Sequence, residues 1–481
     1  MKSSKRCWGI PLLMAALGMV AQAAEKGVND NPRLNVLLLM ADDLAVTLGC
    51  YGHPQAQTPH LDALARRAVL FERAYCQFPH CNPSRASLFS GLRPRDTGVS
   101  DNDDNLYANL PGVVTLPRHF RDHGYATARC GKIFHLGVPT GLESMDDPLA
   151  WEVGTPFRDE RPYPNSRAST VRVPTGKGQG LKWQEIAGSD DDLVDGQFAK
   201  AAVEWLEQRD PARPFFLAVG FHRPHLPLVA PEQYYDLYPL ENISLPAEPD
   251  LAEDEADLPW PARNGAVPGY ALSATPDQRR AAIRAYLATV SYMDAQAGRV
   301  LSALKRLGLE EHTIVIFTSD HGWHLGEHGL WHKRSLFEES ARVPLLIAMP
   351  GAKGSGTRSS SLVELLDLYP TLCDAAALPW PAGAGPDQGL RLQGLSLRAV
   401  LEDPKTEVHR GAFTAARRGM NAEHWGRSVR TSRWRYTEWD EGRSGIELYD
   451  HDTDPGEFTN LANDPRFADE LDHLRGMLAR E

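Results

Sequence analysis

The run Cys81-Asn-Pro-Ser-Arg85, continued by Ala86-Ser-Leu-Phe-Ser-Gly91, says more about this 481-residue chain than any other. Pro83 favours an extended Asn82 and tolerates the first turn of a helix, where its missing N–H and fixed φ cost nothing. The residues from Arg85 then read as helix up to Gly91. Cys81 is therefore predicted just ahead of a helix N-terminus, where free N–H groups and the positive dipole end favour an anion.

A second run, Gly124-Tyr-Ala-Thr-Ala-Arg-Cys-Gly-Lys-Ile-Phe-His135, places Lys132 and His135 three apart, a spacing that faces one side of a helical turn. Together the two runs resemble the paired signatures of the formylglycine-dependent (type I) sulfatases. The resemblance implies that Cys81 is oxidised by a maturation enzyme to 3-oxoalanine (formylglycine), an aldehyde whose hydrate attacks sulfate esters. It further implies that Arg85 holds that hydrate, that Lys132 contacts aldehyde and sulfate, and that His135 helps release product.

Working outward, Asp42-Asp43 follows an apolar run near the N-terminus and Asp320-His321 follows another at Thr313 to Thr318. Two such pairs at one sheet edge can converge on a hard cation, although an isolated Asp-Asp equally caps a helix. In the sulfatases the corresponding residues bind Ca²⁺ with the formylglycine. The resemblance thus implies a Ca²⁺ site of Asp42, Asp43, Asp320, His321 and position 81, while oxygen ligands alone leave Mg²⁺ open. His321, His324, His328 and His332 raise the alternative of zinc, but Gly322, Gly326 and Gly329 break any continuous helix and no His-Glu-x-x-His occurs. Ser319 to Gly329 instead is similar to the family's metal segment, with Lys333 at the place of its second lysine.

Phe221-His-Arg-Pro-His-Leu-Pro227 looks like a rigid proline-rich segment of the iduronate-2-sulfatase-like branch. This implies His225 as sulfate contact and leaving-group acid, with Arg223 and Trp323 as further substrate contacts. Tyr238 to Ser244, Ser291 to Asp294 and Arg430 to Tyr436 are similar to segments of the same branch.

Apolar runs at Asn35 to Met40, Phe215 to Gly220, Thr313 to Thr318 and Val343 to Met349 read as strands. Pro59 to Val69, Leu193 to Gln208, Arg279 to Arg306 and Ser361 to Ala377 read as helices. This alternation predicts an α/β domain with a mostly parallel sheet, ligands lying at the carboxyl ends of its strands. With the resemblance, the expected fold is alkaline-phosphatase-like. Residues 1–23 form a basic n-region, an apolar stretch and an Ala-Gln-Ala ending, the pattern of a secretory signal. A catalytic domain over 24–400 and a small α+β subdomain over 401–481 follow, the latter with strands near Gly411 to Ala416, Ser428 to Arg435 and Glu447 to Tyr449. A short helix, Leu395 to Leu401, is expected to lead into it and a terminal helix near Phe467 to Leu478 to close it.

Cleavage after Ala23 removes three basic residues and moves the formal charge from −12 to −15. So acidic a chain lacks the basic footprint of a nucleic-acid binder, and no later run is long enough to span a bilayer. Five cysteines remain after cleavage; converting Cys81 leaves Cys50, Cys76, Cys130 and Cys373, enough for two disulfides or none. The expected activity is that of an exported enzyme, periplasmic or extracellular, hydrolysing O-sulfate esters of a sulfated polysaccharide or oligosaccharide, best a 2-O-sulfated uronic acid. A phosphodiesterase or phosphonate hydrolase of the same superfamily is the alternative, as is a glycan-binding protein if Cys81 stays a thiol. For a uronate carboxylate the candidate partners are Arg223, Arg430, Arg433 and Arg435.

Overall fold

The structure, a computed structural model, describes residues 33–481 apart from 136–145, 156–165, 168–180, 247–253, 255, 264–265, 267–273, 384–388, 390 and 420. The predicted secretory signal and parts of the long loops lie outside the described residues. Residues Leu34–Glu481 form one compact unit.

Its centre is an eight-stranded sheet. The strands are β1 (Asn35–Asp42), β2 (Val69–Tyr75), β3 (Ala126–Gly131), β4 (Val153–Thr155), β5 (Phe215–Pro224), β6 (Thr313–Ser319), β7 (Arg342–Ala348) and β8 (Arg358–Glu364). They lie in the order β8-β2-β7-β6-β1-β5-β3-β4. Only β7 runs antiparallel to its neighbours, so the sheet is mostly parallel, as expected.

The chemistry of β1 shows why such strands read as unbroken apolar runs. Leu37, Leu39 and Ala41 enter one core with the helices α3 (Val194–Gln208) and α4 (Pro276–Arg306), while Val36, Leu38 and Met40 enter the other with α2 (Cys81–Ser90) and α5 (Leu368–Ala375). A strand covered on both faces has no polar side to alternate with. Each fully buried Leu or Val here stabilises the fold by about 1.5–3 kcal/mol. Helix α4 starts where Thr275 and Gln278 form a reciprocal capping box with Pro276 in the first turn, and ends at Gly308, whose φ is 68°.

Several expected boundaries move. The helix predicted over Pro59 to Val69, α1, stops at Ala65, because Val69 begins a strand inserted between β7 and β8. The helix predicted over Ser361 to Ala377 splits into β8 and α5, since Leu362, Val363 and Glu364 pair with β2. Leu395 to Leu401 is helical only from Arg398, in a turn ending at Glu402.

Beyond it, β9 (Ala412–Arg418), β10 (His424–Arg430), β11 (Trp434–Trp439) and β12 (Ile446–Asp450) form an antiparallel meander. The predicted strand Ser428 to Arg435 is in fact the end of β10, a turn, and the start of β11. Helix α6 (Ala468–Leu478) covers the meander through Leu471, Leu474 and Leu478. The meander docks on the segment leading to Cys81: the Thr414 hydroxyl donates to the Cys76 carbonyl at 2.8 Å and the Ala415 N–H to that of Gln77 at 2.9 Å.

Candidate active site

Helix α2 begins at Cys81 itself, one residue earlier than the sequence suggested. His80 is extended and accepts the Ser84 N–H at 3.0 Å, and Gly91 closes the helix in the left-handed region at φ 68°. The helix is wholly buried. Arg85 lies one turn beyond Cys81, on the same side.

The carboxyl ends of four parallel strands deliver the remaining groups. From β1 come Asp42 and Asp43, the latter at φ 67°, a conformation that non-glycine residues adopt chiefly where surrounding structure enforces it. From β6 come Asp320 and His321. Lys132 follows β3, where Gly131 and Gly220 allow two backbones to touch. A Cβ on Gly220 would lie 1.8 Å from the Lys132 carbonyl oxygen, and one on Gly131 2.2 Å from the Gly220 carbonyl oxygen. Lys132 and His135 therefore stand on the irregular chain after a strand rather than on a helical turn. Strand β5 continues past Gly220 to Pro224, so His222 and Arg223 are strand residues and only His225 lies on the turn.

Around the Cys81 sulfur stand Lys333 Nζ at 3.1 Å, His321 Nε2 at 3.4 Å, Asp42 Oδ1 at 3.5 Å and Asp43 Oδ1 at 3.9 Å. Lys132 Nζ donates to Asp42 Oδ2 and Lys333 Nζ to Asp43 Oδ1, each at 2.5 Å. Arg85 binds Asp320 Oδ2 at 2.9 Å through Nε, and the Lys132 and Ile133 carbonyls at 2.8 Å through Nη1. Asp320 Oδ1 accepts the N–H groups of Asp43 and His321. Such a buried, charged assembly holds only while its partners remain; deleting one leaves an uncompensated charge at a cost of about 3–5 kcal/mol.

These neighbours set the protonation states. Burial would raise the Cys81 thiol, but Lys132, Lys333 and His321 hold it well below its ordinary value. Burial and the neighbouring sulfur oppose ionisation of Asp42, yet Lys132, His225 and Arg85 keep it ionised. Asp320 is pushed up to about 6 by burial, which outweighs Arg85 and His321. His135, facing Cys81, is lowered by burial.

Asp42, Asp43, Cys81 and His321 offer one ligand atom each, all within 4.8 Å of one another. Asp43 Oδ2 is buried without a hydrogen bond. Two carboxylates, an orphaned carboxylate oxygen and an imidazole suit a divalent cation, and replacing the sulfur by an oxygen would shift the donor set toward a hard one. Asp320 borders this group with both oxygens already engaged.

The other predicted histidines disperse. His324 bonds the Ser335 hydroxyl at 2.6 Å, His328 pairs with Asp254 and stacks on Phe337, and His332 packs edge-on to Trp323. Among the described residues no metal-binding group contains any of these three. His225 does reach the site, its Nε2 3.9 Å from Asp43 Oδ2 and its Nδ1 2.7 Å from the Leu226 carbonyl oxygen. His222 was not singled out in the sequence, yet its Nδ1 lies 3.6 Å from Asp42 Oδ2 and its ring centroid 4.8 Å from that of His225. The cue was its position two residues past the expected end of β5.

Two predicted substrate contacts are corrected. Trp323 is 2% exposed, stacks on Tyr286 and lies under the Lys333 ammonium, so it supports that lysine from behind. Arg223 is fully buried and donates to the carbonyls of Val229 and His225, so it fixes the turn rather than presenting its fork to a ligand. The other arginines considered for a carboxylate are likewise engaged: Arg435 with Glu338 and Glu457, Arg430 with Glu338, and Arg433 with Asp450. All five described cysteines are unpaired thiols. A cavity of about 710 Å³ between α3 and α4, lined by Lys200, Glu204, Arg299 and Arg306, is bordered by none of the site residues.

The sequence profile described as "Sulfatase" matches residues 34–378, and the one described as "N-sulphoglucosamine sulphohydrolase, C-terminal" matches 326–481. The chain is 33% identical to iduronate 2-sulfatase of Mus musculus, over 96% of this chain and 97% of that protein. Among solved structures it is similar to the phosphonate monoester hydrolase of Agrobacterium radiobacter (TM-score 0.76, 26% identity, 93% of this chain and 95% of the other). It is also similar to a 2-O GAG sulfatase (TM-score 0.70, 27% identity, 93% and 92% covered).

Proposed function

Since the chain belongs to the sulfatase family and is a sulfuric ester hydrolase, we propose that it removes O-sulfate groups from sulfated glycosaminoglycan-type oligosaccharides, best a 2-O-sulfated uronic acid. The observation that carries this reading is the crowding of one nucleophile position, three carboxylates, two lysines and four histidines onto one sheet edge. Oxidised to a hydrated aldehyde, position 81 would supply the attacking oxygen, and a divalent cation held by Asp42, Asp43 and His321, Ca²⁺ by family resemblance, would supply the positive charge that holds the sulfate against it.

The chain's own residues do the rest. Lys132 and Lys333 direct their ammonium groups at the place where sulfate oxygens would sit and offset the charge that builds there. Asp320, raised by burial, is suited to take a proton at its carboxylate while Arg85 holds it in place. The Leu226 carbonyl oxygen takes the Nδ1–H of His225, which leaves Nε2 as the nitrogen turned to the leaving sugar oxygen; in the imidazolium form Nε2 carries the proton that passes to that oxygen. His135, kept neutral by burial, is the base for the release half of the cycle.

The resemblance also supports export of the protein and conversion of Cys81 by a separate maturation enzyme. Among the described residues no helix is long and apolar enough to cross a membrane. The test is sulfate release from defined oligosaccharides, with an aryl phosphonate monoester in parallel because of the fold likeness to a phosphonate monoester hydrolase. Release from a 2-O-sulfated uronate above all other sugars is expected. Preferential turnover of the phosphonate would overturn the assignment, and a converted protein that binds but cleaves nothing would make it a glycan-binding protein.

A further inference from the structure

The groups around Cys81 account for one negative charge on a substrate, its sulfate. Beside them stands a guanidinium that the mechanism does not use. Arg334 follows Lys333 in the chain, is held at φ 70°, and donates its N–H to the Pro79 carbonyl at 3.1 Å, which ties it to the segment entering Cys81. Its side chain is half-buried. Nη2 reaches the Arg417 carbonyl oxygen at a long 3.4 Å, and Nε is buried without a hydrogen-bond partner among the described residues. The charge of Arg334 is felt at His80, which burial and that guanidinium together hold neutral.

The opposite wall comes from the C-terminal meander. Arg417 on β9 is half-buried and donates to the Ala422 carbonyl at 2.9 Å and the Ser100 hydroxyl at 3.3 Å. Directly across the ladder is Trp425, also half-buried, whose ring meets Phe78 edge-on at 6.0 Å. Cross-strand partners share a face, so guanidinium and indole lie side by side. Acids border the place as well: Asp101, with a side chain 43% exposed, lies 3.8 Å from His80 Nδ1, Asp104 accepts from the Ser100 hydroxyl and Asp440 from the Trp425 N–H.

We propose that Arg334, backed by Arg417 and Trp425, forms a subsite for the carboxylate of a uronic acid in the substrate. This rests on the sulfatase reading above and replaces the four arginines that the sequence suggested and the structure engages elsewhere. A guanidinium with an unengaged edge suits a planar carboxylate, which it binds through two parallel N–H bonds. An aromatic ring beside it offers the apolar face of a sugar a surface to lie on. The subsite lies where catalytic region and meander meet, so both must be in place for it to exist.

The experiment compares wild type, Arg334→Ala and Arg334→Lys on three sulfates: a 2-O-sulfated uronate disaccharide, its carboxyl methyl ester, and a small aryl sulfate. Loss of a charge-assisted pair should lower kcat/KM of Arg334→Ala on the free acid about tenfold or more, mainly through KM. The ester and the aryl sulfate should fall by a far smaller factor, and lysine should restore part of the loss. An equal fall on acid and ester, or none on either, would overturn the subsite. Wild type that hydrolyses no sulfate at all, the aryl ester included, would instead overturn the sulfatase reading.

Discussion

Asp42 shows how much one side chain can carry. It accepts from Lys132 and lies 3.4 Å from Arg85 and 3.6 Å from His222, with no exposure to water. Asp42→Asn removes the charge that Lys132 and Arg85 face, so activity should vanish and stability should fall by about 3–5 kcal/mol, read as a lower midpoint in urea. A variant as stable as wild type would mean that the cluster is already balanced without it. His225 allows a finer test. A sugar alkoxide needs a proton to leave, whereas an activated aryl oxide does not, so His225→Ala should lose far more kcat on the sugar sulfate than on the aryl sulfate. Equal losses would assign His225 to sulfate binding alone. Adding Ca²⁺ to chelated protein should raise the melting temperature, since an ion that binds only the folded state stabilises it by mass action, about 2.7 kcal/mol at a hundredfold excess over Kd. No shift with any divalent cation would remove the metal from the site.

At the scale of elements, the contact between β3 and β5 sets the position of Lys132, and it depends on two glycines. Gly220→Ala would drive a Cβ into the Lys132 carbonyl, and neither strand has room to yield inside the sheet. A destabilisation of about 3 kcal/mol is expected, with activity falling further than the folded fraction does; a neutral substitution would show that the strands slide. The signature around Cys81 was legible because its chemistry is local: proline, arginine and glycine at fixed offsets dictate a helix and its end. Strand β2 was not, since Val69-Leu-Phe reads equally as the tail of a helix and only pairing with β7 and β8 makes it extended. Lys132 and His135 misled for a related reason, because spacing alone does not distinguish a helical turn from the bend after a strand. Arg223 and Trp323 were read from the sequence as substrate contacts, but burial, which no sequence displays, turns both into supports. Arg334 passed unnoticed because its use depends on β9 and β10, eighty residues on.

For the whole molecule, the junction between sheet and meander is held by a buried ion network. Glu338 and Glu457 both bind Arg435, and His451 binds Glu457 at 2.7 Å. Burial would raise Glu457, but Arg435 and His451 bring it down to about 2. A carboxylate depressed in the folded state contributes stability that is present above its ordinary range and lost as pH falls toward the folded value. The melting temperature should therefore drop between about pH 4.5 and pH 2, and Glu457→Gln should flatten that acid limb while lowering stability at neutral pH. An unchanged limb would place the acid-sensitive group elsewhere.

Sulfate ester hydrolysis by this site requires position 81 to work as an aldehyde among these residues. Preparations made with and without maturation machinery, mixed to give graded conversion, allow peptide mass across residue 81 and sulfate release to be measured on the same samples. Turnover should be proportional to the fraction of aldehyde, extrapolating to none at zero conversion. Full turnover by protein carrying only the Cys81 thiol would contradict it.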